Sequence, residues 1–144
     1  VIAFSSMYGN TENIADYIGW LFAQKGIKKI RIHDTSKTHP SYIINDIFRY
    51  KGVVMGSCAY NSGIFPTMET LLSELENMGV KNHYVGFFAN KVWSGGAVKR
   101  FQEFAVKIKW EVVTPIEESW CCARNENFEA YKNLVNTMVE KIRQ

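Results

Sequence analysis

Three short stretches of this sequence combine hydroxyl, amide, glycine and aromatic residues in patterns that suit the binding of a small organic ligand. The first stretch runs from Ser5 to Thr11 and contains no charged residue. Its hydroxyl and amide groups, with backbone N–H groups at the start of a helix, could hold a phosphate monoester without lysine or arginine. Ser, Asn and Thr also cap ordinary helices, so this loop alone leaves both interpretations open.

The second stretch runs from Gly56 to Gly63 and leads through a proline into a helical segment. Tyr60 could stack on an aromatic ligand. The backbone from Asn61 to Gly63 is flexible enough to present either a carbonyl or an N–H group to that ligand. An ordinary turn with an exposed tyrosine is the alternative interpretation.

The third stretch runs from Ala89 to Ala97 and places Trp93 directly before a serine and two glycines. A tryptophan in such a loop is not a typical core residue. We therefore expect Trp93 to cover a second face or an edge of the same ligand, with loop backbone groups hydrogen-bonded to it.

The elements between these stretches alternate between strand-like apolar runs and segments with helical periodicity, which predicts repeated βαβ units around a parallel sheet. The nearly continuous apolar runs predict central strands, whereas the alternation around Ile32 predicts an edge strand. The predicted strands are Val1–Phe4, Ile30–Ile32, Val53–Met55, Tyr84–Ala89 and Trp110–Val113. The predicted helices run from Thr11 to before Gly26, over Ser41–Tyr50, over Pro66–Met78, from after Gly96, and over Phe128–Ile142.

In such a doubly wound sheet a ligand binds beyond the carboxyl ends of the strands, near the point where the strand order reverses. The three stretches follow the first, third and fourth predicted strands. We therefore expect them to meet in one site.

The residues of these stretches resemble known binding loops. The run from Ser6 to Glu12 is similar to the phosphate loop of flavodoxins, and its Met-Tyr-Gly-Asn-Thr-Glu form is similar to that of flavodiiron proteins. The run from Trp93 to Lys99 resembles the corresponding loop of flavodiiron flavodoxin domains. Lys91 and Val92 are additional to that pattern.

The resemblance extends over essentially the whole chain and implies a flavodoxin-like α/β fold. This fold is a three-layer doubly wound sandwich with a five-stranded parallel sheet in the order 2-1-3-4-5, of the short-chain type. It also implies noncovalent FMN, electron transfer, and a peptide at or near Asn61–Ser62 that turns over when the flavin is reduced. The implied cofactor-binding residues are Ser6, Met7, Tyr8, Gly9, Asn10, Thr11, Ser57, Cys58, Ala59, Tyr60, Asn61, Gly63, Ala89, Asn90, Trp93, Gly95 and Gly96.

For the parent protein, the resemblance implies that FMN receives single electrons from a reductase or a rubredoxin-like donor. FMN would then feed a di-iron domain that reduces oxygen or nitric oxide in the facing subunit of a homodimer. An independent flavodoxin is the main alternative, although such carriers are usually acidic. An FMN-dependent quinone reductase is a further alternative.

Length and composition are consistent with one domain over residues 1–144. The chain opens at Val1, inside an apolar run and without a methionine, which suggests that this domain is an excised part of a longer chain. The net charge is +3, and the basic and acidic residues are interspersed along the chain without a long run of one sign. Nucleic acid is therefore not an expected partner. No apolar run is long enough for a membrane helix. The three cysteines fit reduced thiols, and we expect a cytoplasmic protein.

The sequence lacks the residues that several other functions need. A response-regulator receiver needs acidic residues after the first and third strands, where Ser5 and Ser57 stand. A tyrosine phosphatase of this topology needs an arginine six positions after its cysteine, and no cysteine here has one. Dinucleotide and triphosphate fingerprints are absent. The remaining polar and aromatic candidates receive no chemical role: Cys121, Cys122, His33, His39, His83, Trp20, Trp110 and Trp120.

Overall fold

The computed structural model describes all 144 residues as alternating strands and helices around one sheet. The strands are β1 (Ile2–Ser5), β2 (Ile32–Asp34), β3 (Gly52–Tyr60), β4 (Gly63–Ile64), β5 (Tyr84–Lys91), β6 (Glu111–Val112) and β7 (Glu117–Trp120). The helices are α1 (Asn10–Gln24), α2 (Pro40–Arg49), α3 (Pro66–Met78), α4 (Ala97–Ile108) and α5 (Asn125–Arg143). None of these helices is both long and apolar enough to cross a membrane.

The main sheet is parallel, and its strands lie in the order β2-β1-β3-β5-β6. This order confirms the predicted arrangement 2-1-3-4-5, because β5 and β6 are the fourth and fifth predicted strands. The flavodoxin-like α/β fold is therefore confirmed.

Two short strands were not predicted. Strand β4 pairs antiparallel with the end of β3, and β7 pairs parallel with the end of β5. The edge beside β5 is thus divided between β6 and β7. Pro115 lies between them and has no N–H group to donate to a ladder, which explains the interruption.

The central strands are buried as their apolar runs predict. Every residue of β1 is buried, and so are the middle residues of β3 and β5. The edge strand β2 begins two residues later than predicted, at Ile32. Ile30 lies outside the strand but packs against the core. Its apolar side chain therefore reflects burial and not strand pairing.

The helices lie close to their predicted bounds. Helix α3 has the predicted ends, and Gly79 after it adopts the left-handed conformation with φ 63°. Helix α5 begins three residues before Phe128, because the Asn127 side chain accepts a hydrogen bond from the Arg124 N–H at 2.8 Å and caps the turn.

Two apolar cores cover the two faces of the sheet and make it a three-layer structure. Helices α2, α3 and α4 pack on one face around Phe87, Phe101 and Phe104. Helices α1 and α5 pack on the other face around Phe88 and Tyr131. Each large side chain buried in this way stabilises the fold by about 1.5–3 kcal/mol. These cores hold the carboxyl ends of β1, β3 and β5 at one edge.

One ion-pair cluster joins α3 to α4. The Arg100 guanidinium donates to both carboxylate oxygens of Glu69, at 2.7 and 2.8 Å, and to Glu76 at 2.9 Å. The hydrogen bonds from Arg100 lower the pKa of Glu69 below its usual value. Stability from this pair is therefore present at neutral pH and is lost as the pH falls through the lowered pKa.

Replacing Glu69 by glutamine should reduce the acid sensitivity of the fold. Because the Glu69 side chain is 42% exposed, we expect the contribution lost below about pH 4.3 to be only about 0.5 kcal/mol. Urea unfolding at a series of pH values measures this difference. Glu74→Gln on the same helix is the control, and an equal change in both variants would contradict the assignment to the Arg100 pair.

Candidate functional site

A cleft of about 270 Å³ lies beyond the carboxyl ends of β1, β3 and β5. The three predicted loops meet there. The lining residues are Ser6, Met7, Tyr8, Asn10, Thr11, Cys58, Ala59, Tyr60, Asn61, Ser62, Asn90, Lys91, Val92, Trp93 and Ser94.

Most of the residues predicted to bind a cofactor line this cleft. The predicted residues that do not line it are Gly9, Ser57, Gly63, Ala89, Gly95 and Gly96. The lining residues that were not predicted are Ser62, Lys91, Val92 and Ser94. Each of these four is next to a predicted residue in the sequence. They could therefore have been identified by including every residue of the second and third loops.

The first loop, residues 6–9, turns into the N-terminus of α1. Gly9 adopts φ 90°, a conformation that strongly favours glycine, and its N–H donates to Ser6 Oγ at 3.0 Å. The Asn13 N–H donates to the Gly9 carbonyl and starts the helix. The N–H groups of residues 10–12 donate to no backbone carbonyl. The loop therefore offers free donors at the positive end of a helix dipole.

Thr11 is the most informative residue of this loop. Its side chain is 1% exposed, and its Oγ1 has no hydrogen-bond partner. A buried hydroxyl without a partner costs about 1–3 kcal/mol. A ligand that accepts a hydrogen bond at the start of α1 would remove this cost. The site thus fits an oxyanion.

A buried cluster of hydroxyls lies next to the start of the first loop. Thr35 Oγ1 lies 2.5 Å from Ser5 Oγ and 2.7 Å from Thr67 Oγ1. These residues belong to the end of β1, the turn after β2 and the first turn of α3. The cluster therefore joins three separate elements at the end of β1, where the first loop begins. Sequence reasoning did not identify it, because its members are 30 and 32 residues apart.

The second loop is a hairpin between β3 and β4 with Asn61 and Ser62 at its tip. Both tip residues are left-handed, with φ 46° and 59°, as in a type I′ turn. Asparagine tolerates this conformation better than serine does. The Tyr60 ring packs edge-on against Phe65 with 5.6 Å between ring centroids. The hairpin thus places an aromatic face and a strained peptide at the mouth of the cleft.

Ser57 supports this hairpin instead of lining the cleft. It is fully buried, and its hydroxyl donates to the Cys58 carbonyl at 2.9 Å and accepts from the Phe65 N–H at 3.3 Å. Cys58 is buried but reaches the cleft. Burial raises the pKa of the Cys58 thiol, and a backbone hydrogen bond from Met7 opposes this effect. The neutral thiol is therefore the main form at neutral pH.

The third loop contacts the second one directly. Ser94 Oγ lies 3.1 Å from Ser62 Oγ. The Gly96 backbone lies so close to the hairpin that an added Cβ would be 2.1 Å from the Ser62 carbonyl oxygen. Trp93 projects from this loop with 89% of its surface exposed, next to the cleft. Its ring is thus available to a ligand.

Lys91 is the only charged residue that lines the cleft. Its Nζ lies 2.5 Å from Glu118 Oε1 and 4.9 Å from the centroid of the Trp120 ring. Glu118 and Trp120 belong to the unpredicted strand β7. The cleft therefore has almost no net side-chain charge, and an anion there depends mainly on backbone N–H groups and hydroxyls.

Asn90 also contacts β7 and the segment after it. Its Nδ2 donates to Ser119 Oγ at 3.3 Å and to the carbonyl oxygen of Cys121. The part of the cleft wall that Asn90 forms is thus held by residues about thirty positions later in the chain.

A family model described as Flavodoxin matches residues 2–133. Among curated proteins, the chain is 26% identical over 120 residues to an anaerobic nitric oxide reductase flavorubredoxin of Escherichia coli O1:K1. It is 27% identical over 119 residues to the protein of the same name from Aeromonas salmonicida. These matches cover 83% and 81% of the chain but only 25% and 23% of the relatives. The chain thus spans about a quarter of their length.

Solved structures show the same fold over the whole chain. The rubredoxin oxygen:oxidoreductase of Desulfovibrio gigas superposes with a TM-score of 0.92 at 22% identity, over 99% of this chain and 35% of that one. A flavodoxin from the domain Archaea superposes with a TM-score of 0.82 at 18% identity, over 100% of both chains.

Proposed function

Since the chain belongs to the flavodoxin family, whose cofactor is FMN, we propose that it holds FMN in the three-loop cleft and transfers single electrons between redox proteins. The observation that carries this proposal is the buried, unpartnered hydroxyl of Thr11 at the N-terminus of α1. FMN, when bound, supplies the electron-transfer chemistry. The chain supplies binding, orientation and the electrostatic environment.

We assign the phosphate of FMN to the first loop. The free N–H groups at the start of α1 and the hydroxyls of Ser6 and Thr11 are donors, and a phosphate has only acceptor oxygens at neutral pH. The helix dipole favours the negative charge there. A neutral ligand such as riboflavin would leave the Thr11 hydroxyl unpaired.

We assign the ring system of FMN to the space between the second and third loops. Tyr60 from the second loop and Trp93 from the third loop both line the cleft and expose aromatic surface. The hairpin tip at Asn61 and Ser62 is the backbone segment that we propose faces the redox-active edge of the ring. Its two left-handed residues make an alternative peptide orientation accessible at low cost.

Replacing Trp93 by alanine should weaken FMN binding by about 1 kcal/mol or more, which is about fivefold or more in the dissociation constant. The reason is that Trp93 makes few contacts within the chain, so its ring surface is available for stacking. Fluorescence titration of the stripped protein measures the change. Trp20 is also exposed but lies on α1, outside the cleft, so Trp20→Ala is the matched control. Unchanged affinity in Trp93→Ala would remove this residue from the site.

The relatives support a proposal for the partner proteins. We propose that this domain delivers electrons to a di-iron domain and receives them from a reductase or a rubredoxin-like donor, as part of a homodimeric flavodiiron oxidoreductase that acts on oxygen or nitric oxide. The names of the relatives, a nitric oxide reductase flavorubredoxin and a rubredoxin oxygen:oxidoreductase, support this assignment.

An independent carrier is the second candidate. The archaeal flavodoxin that matches over its full length supports it. Stopped-flow mixing of the FMN-loaded chain with a reduced rubredoxin separates the two candidates. Fast oxidation of the rubredoxin supports the flavodiiron role, and electron transfer only from a flavodoxin reductase supports the independent carrier.

The central test is the visible absorption spectrum of the purified protein, followed by stepwise reduction without oxygen. Flavin bands and two resolved one-electron steps are the expected result. Direct two-electron reduction would favour a quinone reductase. A colourless protein that takes up no added FMN would overturn the proposal.

A further inference from the structure

Two cysteines that do not line the cleft are adjacent in the chain. Cys121 and Cys122 lie between β7 and α5, and both are exposed and free. The third cysteine, Cys58, is buried in the cleft wall and cannot reach solvent in the same way. The molecule thus carries one accessible dithiol.

The backbone around this pair is held at both ends. The Cys121 N–H donates to the Lys91 carbonyl at 2.8 Å, and the Arg124 N–H donates to Asn127 Oδ1 at 2.8 Å. Cys121 itself is left-handed, with φ 53°, which is a costly conformation for this residue type. The two thiols therefore lie on a short, fixed and strained segment.

The peptide between the two cysteines is also a contact of the cleft. Its carbonyl oxygen belongs to Cys121 and accepts a hydrogen bond from Asn90 Nδ2. Asn90 lines the cleft from the end of β5. Any change in the orientation of this peptide therefore acts directly on a residue of the site.

We propose that Cys121 and Cys122 are a reversible modification site, oxidised to an intramolecular disulfide by a low-molecular-weight disulfide, and that ring closure changes the Asn90 wall of the cleft. One cysteine thiolate attacks the small disulfide, forms a mixed disulfide and releases one thiolate. The other cysteine thiolate then attacks the cysteine sulfur of this mixed disulfide, forms the Cys121–Cys122 bond and releases the second small thiolate. The two cysteine sulfurs are oxidised, the small disulfide is reduced to two thiols, and the two cysteine protons pass to the released thiolates.

Geometry explains why ring closure moves the peptide. Neighbouring Cα atoms are about 3.8 Å apart across a trans peptide. Disulfides usually join Cα atoms about 4.4–6.8 Å apart. A bond between adjacent cysteines closes a small ring that contains their peptide, so this peptide must turn. The resulting strain makes the bond easily reduced, which suits a reversible site.

The turn of this peptide should weaken the Asn90 contact. The amide of Asn90 would keep only its long hydrogen bond to Ser119 Oγ and would be freer to rotate. The consequence for FMN rests on the proposed function, whereas the thiol chemistry does not.

Intact-protein mass spectrometry after incubation with glutathione disulfide tests the site without any cofactor. The wild-type chain should lose the mass of two hydrogen atoms and carry no glutathione, and dithiothreitol should reverse the change. Cys121→Ser and Cys122→Ser should each gain one glutathione, while Cys58→Ser should behave as the wild type does. A wild-type chain that stays reduced, or that retains glutathione on either cysteine, would overturn the proposal.

FMN titration of the oxidised and reduced chains tests the coupling to the cleft. Oxidation should weaken FMN binding by about fivefold or more in the wild type. The same oxidant should leave the affinity of the double variant Cys121→Ser/Cys122→Ser within about twofold, since this variant has neither thiol and cannot close the ring. Equal affinities of the oxidised and reduced wild type would refute the coupling, even where the disulfide itself forms.

Discussion

Replacing Thr11 by valine is expected to weaken FMN binding by about 10- to 100-fold while leaving the affinity for riboflavin nearly unchanged. A hydrogen bond to a charged group contributes about 1.5–3 kcal/mol, which corresponds to that range. Riboflavin lacks the phosphate and so cannot use the Thr11 hydroxyl. Valine has nearly the same shape, and the hydroxyl that it removes is buried without a partner. The stability of the cofactor-free protein should therefore stay the same or increase.

Three measurements make this result specific. Paired titrations with FMN and riboflavin give the difference in affinity, and urea unfolding of the cofactor-free variant gives its stability. Thr11→Ser should keep most of the FMN affinity because it keeps the hydroxyl. Thr70→Val on the exposed face of α3 should change neither affinity. Equal losses for FMN and riboflavin would disprove the assignment of the phosphate to this loop.

Replacing Gly96 by alanine is expected to destabilise the protein by about 1–3 kcal/mol and to weaken FMN binding as well. The added Cβ would lie 2.1 Å from the Ser62 carbonyl oxygen and 2.5 Å from the Gly63 nitrogen. Both atoms belong to the backbone, so no side-chain rotation relieves the clash. The second and third loops must therefore separate, and the cleft between them must change shape.

Gly63→Ala is the matched control for this variant. Gly63 lies in the hairpin that Gly96 contacts, but an added Cβ at Gly63 would be no closer than 3.5 Å to its nearest neighbour. Its stability should change much less than that of Gly96→Ala, by about 0.5 kcal/mol or less. Chemical denaturation compares the two. A Gly96→Ala protein as stable as Gly63→Ala would show that the two loops do not pack against each other in solution.

The sequence alone was sufficient to predict the site where local pattern decides the structure. Continuous apolar runs mark β1, the first part of β3 and most of β5, because a strand covered on both faces needs apolar residues. Strand β3 runs beyond its predicted end at Met55 as far as Tyr60, through residues that the sequence assigned to the second loop. The helices that follow these strands have clear 3.6-residue periodicity. Since the carboxyl ends of parallel strands share one edge, these patterns bring the three loops together.

Long-range pairing was the part that the sequence did not reveal. Strand β7 begins with two glutamates, which have low strand propensity, and it forms only because β5 offers it an unoccupied edge. Its side chains then neutralise Lys91 and hold Asn90.

The polar support of the cleft was equally hidden. Ser5 was recognised as part of the first loop, but its partners Thr35 and Thr67 have no pattern that marks them. A hydroxyl cluster of this kind depends on how three elements pack. The positive φ angles at Asn61, Ser62 and Cys121 likewise follow from tertiary contacts, because neither serine nor cysteine prefers that conformation.

The outer strands of the sheet have a consequence for the behaviour of the protein at high concentration. Strand β2 contains three residues and β6 only two, and β7 lies apart from β6 beyond a proline. Short, interrupted margins offer few unpaired N–H and C=O groups to a strand from another molecule. The margins of the sheet are therefore poor templates for the growth of aggregates.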